Sequence, residues 1–376
     1  MNDSNAFFAQ PMLAVDTEFV WNKTYYAQLG LVQLCPGGGL SAERLPGGSA
    51  AMPMDEGTDE ERRAVLLDPF RCDPREVGAL LADGSVVKVL HDAQQDLQHL
   101  VRWTGAMPAN VFDTRLAAGF CGLPSIVSLG KLVSETLGIE LPKSETLTDW
   151  LRRPLTSRQL LYAAQDVAYC ERIVQELFRR ADAFGPSAWM LEEMRSLDDP
   201  ARYAEAPVEA AVRRVKVPPR DFRGQPRRHA RLAALAVWRE RMARERDLPR
   251  KWVAADEVLI AAAIDPETDL SKFPKKALSP SFRTSFLAAL READEAPLPP
   301  PEPRERPAMD PGLLKSRATA LLAEIARRAE TLHVDPALFG SRADVSAFIL
   351  NPDDPTHPLN RGWRRETMGE AIRPLV

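Results

Sequence analysis

Cysteine is scarce and scattered: Cys35, Cys72, Cys121 and Cys170 never fall into a CxxC pair. That excludes an obvious zinc site or disulfide framework and fits a reducing compartment. Five histidines spread along the chain give no His-rich metal site and no triad for Ser or Cys hydrolysis. No apolar run reaches the length of a membrane span. The opening MNDSNAFFAQ lacks a basic segment leading into an apolar one. Neither an anchor nor a signal peptide is expected, and a cytoplasmic protein with no obligatory protein partner is the consistent reading.

What is present suffices for two or three domains. The chain has 376 residues, 45% of them apolar, which argues against a largely disordered protein. Its net charge of −4 conceals an asymmetry. Residues 1–100 carry 7 Lys/Arg against 15 Asp/Glu, whereas residues 201–253 carry 15 against 6. Arg213, Arg214, Arg227, Arg228, Arg241, Arg244 and Arg246 dominate the basic segment. Such a surplus suits a polyanion, and the competing reading is a solvated helix face.

Hydrophobic patterning gives the elements. Met12–Phe19 alternates as a strand, with Asp16 and Glu18 on one face and Leu13, Val15 and Phe19 on the other. A turn at 20–25 leads to a second strand at 27–34. The glycine-rich stretch 35–63 reads as a flexible loop, and a third strand follows at 64–67. Val86–Leu90 is a buried-strand pattern, after which Asp92 and Gln95 resemble a capping box. Asn110–Phe112 reads as another strand, with Asp113 capping a helix over 114–120. A further helix spans 127–137 and stops at Gly138. The spacing predicts one long helix over 157–180, opened by the capping box Thr156-x-x-Gln159, with Tyr162 and Asp166 sharing a face away from its apolar stripe. Beyond Arg228 the pattern is helical only.

The acids carry the chemistry. Asp16 and Glu18 stand two residues apart on a strand that is otherwise apolar, and adjacent carboxylates there repel unless cations neutralise them. A lone DxE motif is weak, and its force depends on other carboxylates. Asp92 is accounted for as a helix cap, whereas Asp96, one turn further on, has no capping role. Asp166 follows Tyr162 by one helical turn. Four acids from the edges of one sheet suit two Mg²⁺ or Mn²⁺ ions that clamp an in-line phosphoryl displacement.

In order and spacing, AVDTEF, HDAQQDL and YAAQD resemble the three exonuclease motifs of the DEDD superfamily, and the tyrosine four before the last aspartate matches its DEDDy branch. YAQLGLVQL and TDWLRRPLTSRQLLYAAQDV are similar to the ribonuclease D family. RLAALAVWRERMARERDLPRKWV resembles the helicase-and-RNase-D C-terminal (HRDC) domain, and LNRGWRRE resembles the closing segment of bacterial ribonuclease D. The resemblance implies a ribonuclease-H-like α/β exonuclease domain, a mixed sheet with flanking helices, over residues 1–197. A linker over 198–226, an HRDC domain over 227–297, a proline-rich linker over 298–311 and a second HRDC-like helical domain over 312–376 would follow.

Matched residue by residue, the resemblance makes Asp16, Glu18, Asp96 and Asp166 metal ligands for two divalent cations, and Tyr162 the group that holds or deprotonates the attacking water. The implied activity is a metal-dependent 3′-5′ exoribonuclease that trims RNA, tRNA precursors being the typical substrate, and releases nucleoside 5′-monophosphates. The alternatives are a DNA 3′-5′ exonuclease of the same superfamily and a non-catalytic RNA-binding protein. Lys143 and Arg152 are candidate phosphate contacts. Phe19 stands equally as a base-stacking ring or a core residue. Trp150 reads as core, and His91 as a strand end. The glycine-rich insert at 37–61 departs from the family's short connection but is expected to leave the metal motifs untouched.

Overall fold

MLAVDTEFV forms strand β1 (Met12–Val20), followed by β2 (Gln28–Gly37), β3 (Ala51–Met52), β4 (Val65–Leu67), β5 (Val87–Leu90) and β6 (Val111–Asp113). The computed structural model describes residues 3–142, 145, 148–298 and 309–375. The strands join in one mixed sheet of order β3-β4-β2-β1-β5-β6. β1 pairs in parallel with β5 from Met12↔Val87 to Ala14↔Val89, and β5 in parallel with β6. β4 runs antiparallel to both β2 and β3. Met12, Leu13, Ala14 and Val15 are all buried. The expected in-out alternation therefore begins only at Asp16, because a central strand covered on both faces has no solvent side.

The stretch expected as a flexible loop is structured. β2 continues to Gly37, short 3-10 turns occupy Ala42–Arg44, Gly48–Ala50 and Glu61–Arg63, and β3 adds an edge strand. Leu40, Leu45 and Ala50 sink into the core, and their burial offsets the entropy of ordering so many glycines.

Two helix expectations need correction. Asp92 precedes the Ala93–Thr104 helix in a left-handed conformation (φ 63°), and its side chain caps nothing. Asp113 does that work from the end of β6, accepting from the backbone N–H groups of Asp92 (3.0 Å) and Ala93 (2.9 Å). The predicted 157–180 helix is two helices, Ser157–Ala168 and Cys170–Phe184, separated at Tyr169. Both the Thr156–Gln159 capping box and the stop at Gly138 (φ 69°) form as the local sequence dictates.

Contacts divide the described chain into two compact units, residues 3–18, 29–204 and 309–375 in one, 19–28 and 205–298 in the other. The second unit is built on helices Pro226–Glu245, Asp256–Ile264 and Arg283–Glu295, with Leu232, Leu235 and Trp238 in its core. Part of the span expected as a linker belongs to that core, which takes Ala211, Val215 and Phe222. Pro299, Pro300, Pro301, Pro303 and Pro307 of the proline-rich stretch lie outside the described residues. The C-terminal helices Pro311–Thr331, Arg342–Leu350 and Gly362–Ile372 were expected to form a domain of their own. Instead they share one hydrophobic core with the sheet.

Trp363 is the clearest bond between tail and nuclease. It is 1% exposed and packs edge-on against Phe120 (5.1 Å) and Phe339 (4.8 Å). Its indole N–H donates to Glu193 at 2.8 Å, and Arg364 pairs with the same carboxylate. Trp363→Ala should therefore destabilise the nuclease unit by about 3–5 kcal/mol, the usual cost of emptying a large aromatic site. Urea unfolding followed by far-UV circular dichroism checks this, and an unchanged midpoint would contradict the shared core.

Candidate active site

The pairing of β1 with β5 ends at Ala14↔Val89, so Asp16 and Glu18 lie on the carboxyl-end extension of β1. The crevice outside the carboxyl ends of parallel strands is where open α/β sheets place ligands. Asp96 arrives from the helix that follows β5, and Asp166 from the Ser157–Ala168 helix. The fold thus brings together all four carboxylates singled out in the sequence, although they lie up to 150 positions apart.

Their charges act on one another. Burial, then the charges of Asp96, Asp166 and Glu18, push the Asp16 carboxyl well above its ordinary pKa. Burial with Asp166 and Asp96 raises Glu18 to about 9. Asp96 and Asp166 are raised too, in both cases mainly by burial. Among the described residues no three His, Cys, Asp or Glu side chains stand in an arrangement that could hold a metal ion. The donor set is nonetheless all carboxylate oxygen, the chemistry that hard cations such as Mg²⁺ and Mn²⁺ prefer, and its repulsion is of the kind a cation relieves.

Several supports escaped the sequence reading. The Thr17 hydroxyl, between the two acids of β1, donates to Asp96. Asp113 fixes the start of the Asp96 helix, and Asp92 pairs with Arg115. The loop before the Asp166 helix is docked on β2. Gly30 lies so close to Trp150 that a Cβ there would stand 2.6 Å from the Trp150 carbonyl oxygen. Arg153 bonds the Gly30 carbonyl at 2.7 Å and Asp68 at 2.8 Å. Trp150 is core, as expected, and its ring lies 6.2 Å from that of Tyr162. Tyr162 is half-buried and shares a helical face with Asp166.

The other candidates scatter. Arg152 is exposed, and Lys143 lies outside the described residues. Phe19 is half-buried and meets Trp21 edge-on at 6.1 Å. His91 follows β5 and is bound by Thr114 (2.9 Å) and the Val127 carbonyl (3.0 Å). The four cysteines are buried and unpaired. Among the described residues no helix is long and apolar enough to cross a membrane.

Comparison with known proteins points to one family. The 3′-5′ exonuclease family matches residues 4–182 and the HRDC domain residues 228–275. Ribonuclease D of Desulfotalea psychrophila is 35% identical over 365 residues, spanning 94% of this chain and 90% of that protein. This chain belongs to the ribonuclease D family. Ribonuclease D of Escherichia coli is 33% identical over 98% of the chain and 93% of its own length. Its crystal structure superposes with a TM-score of 0.77, covering 99% of this chain and 94% of that one. A protein from Bifidobacterium adolescentis, 18% identical with a TM-score of 0.67, shares the fold. Membership makes the chain a 3′-5′ exoribonuclease acting on RNA, with an HRDC domain in its helical part; the family is typically dependent on divalent metal.

The raised carboxyls fix a pH dependence. Each folded-state pKa exceeds the unfolded value of about 4, so above it the folded protein holds protons that the unfolded chain has lost, and stability falls as pH rises. In EDTA the Tm should drop between about pH 5 and about pH 8. Added Mn²⁺ or Mg²⁺ should raise it, and more at the higher pH. Differential scanning fluorimetry reads both, and a cation effect that does not grow with pH contradicts the assignment.

Proposed function

We propose that Asp16, Glu18, Asp96 and Asp166 hold two divalent cations and that Tyr162 serves the attacking water, so that the chain removes nucleotides from the 3′ ends of structured RNA, tRNA precursors foremost. The observation that carries this is the meeting of the four acids at the carboxyl end of β1, with Tyr162 one turn before Asp166. The E. coli relative is described as an exoribonuclease involved in structured RNA processing, which supports the substrate class.

When bound, the cations lower the pKa of water and offset charge on the departing oxygen. The chain's own part is geometry. β1 and the two helices fix the four acids, and the Tyr162 hydroxyl orients the water. A phenol with a pKa near 10 is a poor base at neutral pH, so orientation is its role. In-line attack forms a bond from the water oxygen to phosphorus and breaks the bond from phosphorus to the 3′ oxygen. The products are a nucleoside 5′-monophosphate and an RNA shortened by one residue with a free 3′ hydroxyl.

The arginine-rich segment contributes less free charge than its composition suggests. Glu240, buried in the Pro226–Glu245 helix, accepts from Arg244 at 3.0 Å and Arg250 at 2.9 Å. Arg214 and Arg246 also lie near glutamates, and Arg227 and Arg228 bond backbone carbonyls. Arg213 and Arg241 remain exposed. Residues 270–291 include no acid, and Lys272, Lys275, Lys276, Arg283 and Arg291 are all exposed there. Lys275 and Arg283 rim a groove of about 360 Å³ floored by Val258, Phe273 and Leu278. Cations around an apolar floor suit a phosphate chain with its bases, and this surface is assigned to the RNA.

Two experiments test the reading. Asp16→Ala should abolish release of mononucleotides from a 3′-extended RNA, and Tyr162→Phe should cut kcat by about 10²- to 10⁴-fold. EDTA should stop the wild type, Mg²⁺ or Mn²⁺ should restore it, and a DNA strand of the same sequence should be a poor substrate. Undiminished hydrolysis by Asp16→Ala would sink the assignment. Reversing Lys275, Lys276 and Arg283 to Glu should weaken RNA binding and flatten the dependence of Kd on salt. The same reversal at Arg213 and Arg241 should do less, and equal effects from the two sets would refute the groove.

A further inference from the structure

We propose that Glu61, on the glycine-rich insert, is a positioning residue for catalysis: it fixes the helix that carries Tyr162 and Asp166. The inference rests on Asp166 acting as a metal ligand. Glu61 is 4% exposed. Its carboxylate accepts from Gln165 Nε2 at 2.8 Å and from the Tyr169 hydroxyl at 2.9 Å. Gln165 immediately precedes Asp166, and Tyr169 stands where the predicted long helix breaks. The insert therefore holds the chain on both sides of Asp166.

The carboxylate is charged and needs these donors. Burial alone would push its pKa up, but the backbone N–H of Thr58 and the side chains of Gln165 and Tyr169 outweigh burial and hold it below the usual carboxylate value. Burial and the adjacent Glu61 raise the Tyr169 phenol to about 12, so it remains a donor. Removing the carboxylate leaves buried donors without an acceptor, the costly direction of change. Neighbouring insert residues reach the next helix by weaker means. Glu60 pairs with Arg172 at 3.0 Å and Arg63 with Glu171 at 3.9 Å, with partly exposed side chains that water screens. Close packing completes the seat, because a Cβ on Gly57 would stand 3.0 Å from Leu161.

Groups that orient ligating carboxylates typically change metal affinity or activity by about 10- to 100-fold when lost. In the full-length protein, Glu61→Ala should lower kcat within that range and raise the Mn²⁺ concentration for half-maximal rate, with KM for the RNA little changed. Glu61→Gln keeps an oxygen toward Gln165 and Tyr169 and should restore part of the loss. Arg172→Ala, which removes only the exposed pair, should match wild type. Tyr169→Phe deletes a single hydroxyl and should shift the Mn²⁺ requirement in the same direction, which keeps the test open if Glu61→Ala fails to fold. A lowered Tm in Glu61→Ala or Tyr169→Phe with unaltered kcat and Mn²⁺ requirement would overturn the proposal, leaving Glu61 a structural staple. Asp16→Ala in the same assay separates the two readings. If it is dead while Glu61→Ala is normal, only the brace is wrong; if it is active, the metal site falls and the brace with it.

Discussion

Mutual repulsion among Asp16, Glu18, Asp96 and Asp166 is the constraint to which the nuclease unit answers. Burial raises all four most, and Asp96, Asp166 and Glu18 each raise at least one of the others further. A site of that kind is unfavourable on its own terms. It persists because every acid sits on an element fixed by something else. The buried run Met12–Val15 anchors β1. Asp113 ties down the Asp96 helix, and Trp150, Arg153 and the Thr156 capping box seat the Asp166 helix. Stability spent on holding like charges together is stability available to a cation that separates them electrostatically.

Charge elsewhere obeys a different rule. An arginine-rich helix reads as a polyanion site only while its arginines reach solvent. Here long guanidinium side chains fold back onto Glu240, onto helix-end carbonyls and onto Asp294. Tyr25 joins the Glu240 cluster, its hydroxyl donating to that carboxylate and accepting from Arg250 at 2.8 Å. The result is a structural knot. By contrast, residues 270–291 hold exposed lysines and arginines and no acid of their own, although the adjacent Asp269 acts on Lys272 and Arg283.

The C-terminal helices illustrate how burial redraws domain boundaries. A proline-rich stretch followed by amphipathic helices reads as a detachable module. Yet Leu321, Ile325, Phe339, Phe348 and Trp363 are buried in the same core as the sheet. An amphipathic stripe announces that a helix needs a partner; it does not say which partner.

Local information decided a good deal. Chain order and spacing singled out Asp16, Glu18, Asp96, Tyr162 and Asp166 as candidates, because a two-residue strand period and a four-residue helical step are properties of the backbone itself. The capping box at Thr156 and the stop at Gly138 were equally legible, since their hydrogen bonds close within a few residues. Tertiary structure alone decided that Asp113, not Asp92, opens the Asp96 helix, 20 residues away in sequence. It alone joined Glu61 to Tyr169 across 108 residues and ordered a segment whose glycines promised mobility. A periodic pattern reports which side of an element is apolar, but the energy of a buried carboxylate depends on donors that the chain brings to it from far away.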